Sequence, residues 1–339
     1  DEALRVDARR DQLDRQASAG GPLALVGRVA AGGDHELGPA QHAGQGMASA
    51  GHPSGDGDLR AVEDDAVGAG ELRAEVAERE RARRRGGEPV EEPVVPGRLE
   101  FAFPFLERCT VVADDPRLDL AALAGPYRHR FTDDDGRVHE RVMAAGAPGY
   151  VTLHEASLLA RAFVTLEDRR FWEHDGFDRE QIEGAFWHNL VQGRVSRGAS
   201  TVSQQAARNL WLGVDRSWGR KLQEALLTAR LEASTDKPRI MELYLNVIEL
   251  GAGTHGVDEA ARLYFGKPAT KLSVLQAVHL AAMAPAPRRL AERFVDGQVD
   301  ADWMDMLREH VRRMHRAGHI GEAQMYEALR AELGLLDRR

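Results

Sequence analysis

Cysteine is almost missing: Cys109 stands alone, which excludes an intrachain disulfide framework and any cysteine-based metal knuckle. Long apolar runs are missing too. No stretch of about 18 apolar residues is present, and the first residues lack the basic-then-apolar layout of a signal peptide. The chain begins at Asp1 rather than Met, so the expectation is a fragment or processed product whose original start carried an export signal or anchor. Positive charge is not in excess. The formal net charge of -9 argues against a protein that coats nucleic acid through many phosphate contacts. Basic and acidic residues nearly balance between Val151 and Leu290, so a local cationic site is compatible with the overall sign.

Large apolar residues are scarce before about residue 95, where Gly, Ala, Asp, Glu and Arg dominate. Such a stretch cannot bury enough surface to offset ordering entropy, and residues 1–95 read as disordered or low-complexity, with the charged run 79–86 as a solvated linker. Residues 96–150 read as a small β-containing segment. Leu99, Phe101, Phe103 and Phe105 alternate, with Pro104 demoting the run to an edge or broken strand. Asp135-Gly136 between two alternating segments predicts a hairpin.

From Val151 the pattern becomes helical. Leu158, Leu159, Ala162, Phe163 and Leu166 form one apolar stripe, and comparable stripes recur to the end with Gly and Pro at nearly every boundary. The fold class is therefore mainly α, with 151–339 as one all-helical domain. The hydrophobic content of 43% suffices for a substantial core.

Three clusters could carry chemistry. Glu167 closes an apolar helix face and opens "EDRRFWEHDG", beside Asp168, Phe171, Trp172 and His174. A carboxyl at that edge is raised by desolvation, which suits a general base, although a solvated helix end is the simpler reading. In "RGASTVSQQAARN", Ser200 and Thr201 can cap a helix whose first turns carry Gln204, Gln205 and Arg208. Helix amides, hydroxyls and an arginine together suit a phosphate or diphosphate, with an ordinary capped helix as the alternative. Finally, "DRSWGRKLQEALL" gathers Arg216, Arg220, Lys221 and Glu224; Lys221 and Glu224 can simply pair on a helix surface. His310, His315 and His319 lack the spacing of a helical zinc pair and read as solvated surface.

Taken in order, these clusters resemble the peptidoglycan glycosyltransferase family (glycosyltransferase family 51), and most closely its monofunctional biosynthetic transglycosylases. The first family motif, ED-x2-F-x2-H-x-G, is matched by Glu167, Asp168, Phe171, His174 and Gly176. The second, G-x-ST-x2-QQ-x2-K-N, is matched by Gly198, Ser200, Thr201, Gln204, Gln205 and Asn209, with Arg208 where the family has Lys. The third, RK-x2-E, is Arg220, Lys221 and Glu224. The fourth, K-x2-IL-x2-YLN, is echoed by Lys237, Ile240, Met241, Tyr244, Leu245 and Asn246. The motifs span 167–251, and no Ser-x-x-Lys transpeptidase segment follows them.

The resemblance implies a lysozyme-like helical domain that polymerises lipid II into β-1,4-linked glycan, with inversion and release of undecaprenyl diphosphate. It implies Glu167 as catalytic base and Glu224 as organiser of the donor diphosphate, directly or through a divalent cation such as Mg2+ shared with the phosphates. Asp168, Ser200, Thr201, Gln204, Gln205, Arg208, Arg216, Arg220, Lys221 and Asn246 would bind substrate. Implied partners are lipid II, the growing strand, the membrane surface and other cell-wall synthesis proteins, with no nucleic acid. The implied place is the periplasmic face of the bacterial cytoplasmic membrane. Ile182, Phe186, Trp187, Leu190 and Val191 fall in the region that lies near the membrane in the family, with core packing an equal alternative. Two rival functions remain open: a lysozyme-like glycan-cleaving enzyme, which needs no basic diphosphate site, and an inactive scaffold binding lipid II or glycan.

Overall fold

The computed structural model describes residues 92–95, 97–102, 105–111, 115, 118–132, 137–193, 198–212 and 218–339. The linker run 79–86, the Asp135-Gly136 turn and Arg216 lie outside the described residues.

Two antiparallel hairpins come first. β1 (Gly97–Ala102) pairs with β2 (Phe105–Val111), so the alternating run folds back on itself rather than continuing as one broken strand. β3 (Tyr127–Thr132) pairs with β4 (Val138–Met143), as the Asp-Gly signal predicts, in the register Tyr127 to Met143 and Thr132 to Val138.

Ten helices follow. They are α1 (Ser157–Leu166), α2 (Arg179–Gln192), α3 (Val202–Trp211), α4 (Trp218–Ser234), α5 (Lys237–Val247), α6 (Val257–Phe265), α7 (Val274–Met283), α8 (Pro287–Arg293), α9 (Ala301–Arg316) and α10 (Glu322–Arg330). The expected all-helical half needs one correction. β5 (Glu249–Gly251) and β6 (Thr254–His255) form a small hairpin after α5, where Gly253 takes a positive φ of 67° that a helix cannot include.

Local chemistry explains the helix ends. Ser273 and Gln276 close a capping box on α7, whose near-continuous apolar sequence is buried against α1 and α9. On α9, Asp300 caps the first turn, Trp303, Leu307, Val311 and Met314 face the core, and Arg313, His315 and Arg316 sit at the negative end of the helix dipole. The core is continuous from Val95 to Leu333.

Residues 92–95 also correct an expectation. Val95 is fully buried, and Gln223 of α4 brackets it, accepting from its amide at 2.8 Å and donating to its carbonyl at 3.2 Å. That amide side chain satisfies both backbone groups of the strap, within the stretch expected to lack structure. Arg239 of α5 ties the β segment to the helices, donating to the carbonyls of Leu123 at 2.6 Å and Gly125 at 2.7 Å. Like α8 and α10, α2 buries little. Among its residues only Ala185 is fully buried, while Leu190 is exposed and Phe186 and Trp187 are half-buried.

Candidate active site

α1 ends at Glu167, and the following turn brings the first motif against the start of α3. Gly176 makes that turn feasible. Its φ is +91°, and a Cβ there would lie 2.9 Å from Thr228 Cγ2 and 3.1 Å from Glu232 Cγ. Below the turn, Asp168 is completely buried. Its carboxylate accepts from His174 Nε2 at 3.0 Å and from the Val202 amide at 2.9 Å. Gly176 N donates to His174 Nδ1 at 3.1 Å, so the imidazole proton sits on Nε2, facing Asp168.

At the α3 N-terminus, where the sequence suggests a phosphate site, the polar groups are engaged within the protein. Thr201 Oγ1 accepts from Gln204 N, and Gln204 Oε1 accepts from Thr201 N, completing a capping box. Thr201 also donates to the Gly176 carbonyl at 2.7 Å. With Asp168 holding the Val202 amide, the helix end already carries its own carboxylate, and Asp168, Thr201 and Gln204 are committed inside the protein. They support the site from beneath.

Gln205 faces the other way. Its Nε2 donates to Glu167 Oε2 at 3.0 Å, while its Oε1 accepts from the Tyr244 hydroxyl at 3.2 Å. Tyr244 is wholly buried, and burial, then the charge of Glu167, push its hydroxyl well above the ordinary tyrosine value. It stays protonated as a donor, which leaves the Gln205 amide only one orientation, with its NH2 toward Glu167. Gln181 of α2 donates to the Glu167 carbonyl at 3.2 Å. Burial raises the Glu167 carboxyl above its ordinary value; Gln205 and Arg208 pull it back, and Asp168 pushes it further up.

Arg208 lies one turn beyond Gln205, near enough for its charge to act on Glu167. Among the described residues no carboxylate pairs with it. On α4, which packs on α3, Lys221 pairs with Glu224 and donates to Ser200 Oγ at 3.0 Å. Glu224 is buried whereas Lys221 is nearly half exposed, so the pair is more than the solvated bridge the spacing suggests. Arg220 lies 4.0 Å from Glu92.

Asn246 is not brought to this cluster. Its Oδ1 accepts from the Val151 amide at 2.9 Å, and its Nδ2 donates to the carbonyls of Val151 at 2.8 Å and Glu242 at 2.7 Å. Its hydrogen-bonding capacity joins α5 to the strand-to-helix crossing. Two of the three tail histidines are engaged as well: His319 Nδ1 lies 2.7 Å from Thr165 Oγ1, and His315 Nδ1 is 3.2 Å from the Ile320 carbonyl. No group of three or more metal-binding side chains is found among the described residues.

Sequence reasoning missed the supporting roles of Tyr244 and Gln181. Tyr244 sits inside the fourth motif and could have been flagged as a buried hydroxyl needing a partner. Gln181 acts on a backbone carbonyl across a turn, and no sequence pattern signals that.

The transglycosylase family model matches residues 138–310. The chain is 53% identical over 130 residues to a biosynthetic peptidoglycan transglycosylase of Laribacter hongkongensis, covering 38% of this chain and 57% of that protein. A protein of the same description from Chromobacterium violaceum is 52% identical over 130 residues, with the same coverage of each chain. Penicillin-binding protein 1A of Aquifex aeolicus is 39% identical over 194 residues, 57% of this chain and 26% of that protein. The matches thus span a little over half the length of the first two relatives.

Proposed function

The chain belongs to the transglycosylase family, and from that premise we propose that it polymerises lipid II into β-1,4-linked peptidoglycan strands, releasing undecaprenyl diphosphate. One observation carries this reading: a half-buried carboxylate held by one oxygen, with a guanidinium beside it that forms no ion pair among the described residues.

In the proposed reaction Glu167 takes the proton of the acceptor's 4-hydroxyl as that oxygen attacks the donor's anomeric carbon. The bond from that carbon to the diphosphate breaks with inversion, and the electron pair leaves on the phosphate oxygen. Gln205 and Gln181 hold Glu167 in place, and its unengaged Oε1 faces the incoming hydroxyl. Burial raises its pKa and makes it a stronger base than an exposed glutamate. A diphosphate leaving group needs charge neutralisation more than protonation. Arg208, Lys221 and Ser200 supply that role in this reading, with Arg216 and Arg220 adding positive charge. Arg208 offers a planar fork where the family has the point charge of lysine, so it grips two phosphate oxygens together.

Glu224 acts here by holding Lys221 beside Ser200. A protein-held divalent cation does not fit these residues: Glu224 is a single carboxylate already paired with an ammonium, whereas Mg2+ needs an octahedron of oxygens. A cation shared with the substrate's phosphates would draw most of its ligands from them, and no step here depends on it.

The setting proposed is the periplasmic face of the cytoplasmic membrane, alongside other cell-wall synthesis proteins. No described helix is long and apolar enough to cross a membrane. α2, with its half-buried Phe186 and Trp187 and exposed Leu190, is the surface proposed to meet lipid.

Lipid II polymerisation by Glu167→Gln tests the reading. The variant should fold normally and form no glycan, since glutamine keeps the shape but cannot take a proton. Retained polymer would remove the base assignment.

A further inference from the structure

The β3–β4 hairpin and the last turn of α3 meet in a way that neither the motifs nor the family match account for. β3 alternates sides as a strand should. Arg128 and Arg130 face solvent, while His129 is 1% exposed and Tyr127 is half-buried. Both inward residues reach the end of α3. His129 Nε2 lies 3.0 Å from the Asn209 carbonyl oxygen, and the Tyr127 hydroxyl is hydrogen-bonded by the Trp211 side chain.

Within α3 the Arg208 carbonyl is satisfied by Leu212 N. Asn209 is the next carbonyl along, at a helix end where intrahelical donors run out. A carbonyl can only accept, so His129 must donate from Nε2. Burial, with His255 and Arg141 nearby, lowers its pKa to about 4, which keeps the ring neutral with a single proton to place. The contact therefore fixes the tautomer as well as the helix end.

That helix end is tied to the chemistry. Asn209 Nδ2 donates to the Gln205 carbonyl at 2.8 Å, and Gln205 holds Glu167 at 3.0 Å. Arg208 lies between them. Arg141 of β4, the cross-strand partner of His129, also anchors the hairpin, donating to the His255 carbonyl and pairing with Glu259. The Phe131 ring of β3 packs at a tilt of 40° against His255, with ring centres 4.2 Å apart. The hairpin thus bridges the β6–α6 junction and the last turn of α3.

We propose that His129 is a positioning residue for the polymerisation reaction, capping α3 at Asn209 so that Gln205 and Arg208 keep their register against Glu167. The functional unit then begins at β3, ahead of residue 138 where the family match starts. The inference rests on the proposed function for its kinetic part only.

Three variants of the full chain test it, with lipid II turnover and amide hydrogen exchange as readouts. His129→Leu keeps ring-sized packing and removes the donor; His129→Gln places an amide NH2 close to the position of Nε2. We expect His129→Leu to lower kcat roughly tenfold with KM changed less than about twofold, because a small misplacement of catalytic groups is paid in kcat. Exchange at the amides of residues 208–212 should quicken, and His129→Gln should restore both. If His129→Leu does not fold, Tyr127→Phe, which removes the hydroxyl facing Trp211, should show the same kinetic and exchange pattern more weakly. Unchanged kcat and exchange in a folded variant would overturn the proposal, as would equal losses in the Leu and Gln variants. If the wild type forms no polymer, the functional reading fails, and the exchange data alone decide whether His129 caps α3.

Discussion

Replacing Gly176 by alanine probes the turn on which the whole site rests. Two costs are separable. A non-glycine residue at positive φ is strained by about 1–2 kcal/mol, and the observed φ of +91° lies in that region. The added Cβ would also meet Thr228 Cγ2 at 2.9 Å and Glu232 Cγ at 3.1 Å, an overpacking that costs about 1–3 kcal/mol. Relief by movement is restricted on both sides. Thr228 is buried and its hydroxyl donates to the Glu224 carbonyl at 2.6 Å, while Glu232 is held by Lys237 at 2.6 Å. The expected loss in a denaturant titration is about 2–5 kcal/mol. Thr228→Ser removes only the offending methyl and keeps that hydrogen bond; alone it should cost about 1 kcal/mol. In a double-mutant cycle the pair should be less destabilising than the sum by about 1–2 kcal/mol, leaving the φ strain behind. Additive losses would mean that the overlap with Thr228 is not what makes glycine necessary. A Gly176→Ala loss below about 0.5 kcal/mol would refute the account of the turn altogether.

Other measurements follow from the same geometry. Because burial raises the Glu167 carboxyl, the acid limb of the rate profile should fall as pH drops through a value above 4.5, and Gln205→Leu should move that limb further up by removing the hydrogen bond that favours the ionised form. The stability effect has the opposite sense. Native Glu167 holds its proton more tightly than the unfolded chain does, so its contribution weakens as pH rises through that window, and Glu167→Gln should raise the melting temperature at neutral pH. Replacing Phe186 and Trp187 by Ser should weaken binding to anionic liposomes more than it lowers the melting temperature; the reverse ordering would assign α2 to core packing. Calorimetric titration of Mg2+ into the protein alone should show no saturable binding at micromolar concentrations, and a micromolar site would restore Glu224 as a metal ligand.

Much of the site was legible in the sequence because the family motifs are local. Glu167 at the end of an apolar stripe, the Thr201 cap with Gln204 three residues on, and the Lys221 and Glu224 spacing all follow from helical periodicity and capping chemistry. Roles were less legible than positions. Asp168 and Asn246 read as polar groups available to substrate, yet each completes a backbone elsewhere in the fold, while Thr201 and Gln204 close a cap on their own helix.

The sequence by itself determined a mainly helical unit beginning near Val151, the pairing of Tyr127–Thr132 with Val138–Met143 and the order of the candidate reactive groups, because periodicity, turn residues and caps act over a few residues. Tertiary structure alone decided which polar atoms were left over for chemistry. That depends on partners distant in the chain, such as Asp168 under Val202, Tyr244 behind Gln205 and His129 at Asn209, and a hydrogen bond between distant residues leaves no periodic trace in the sequence.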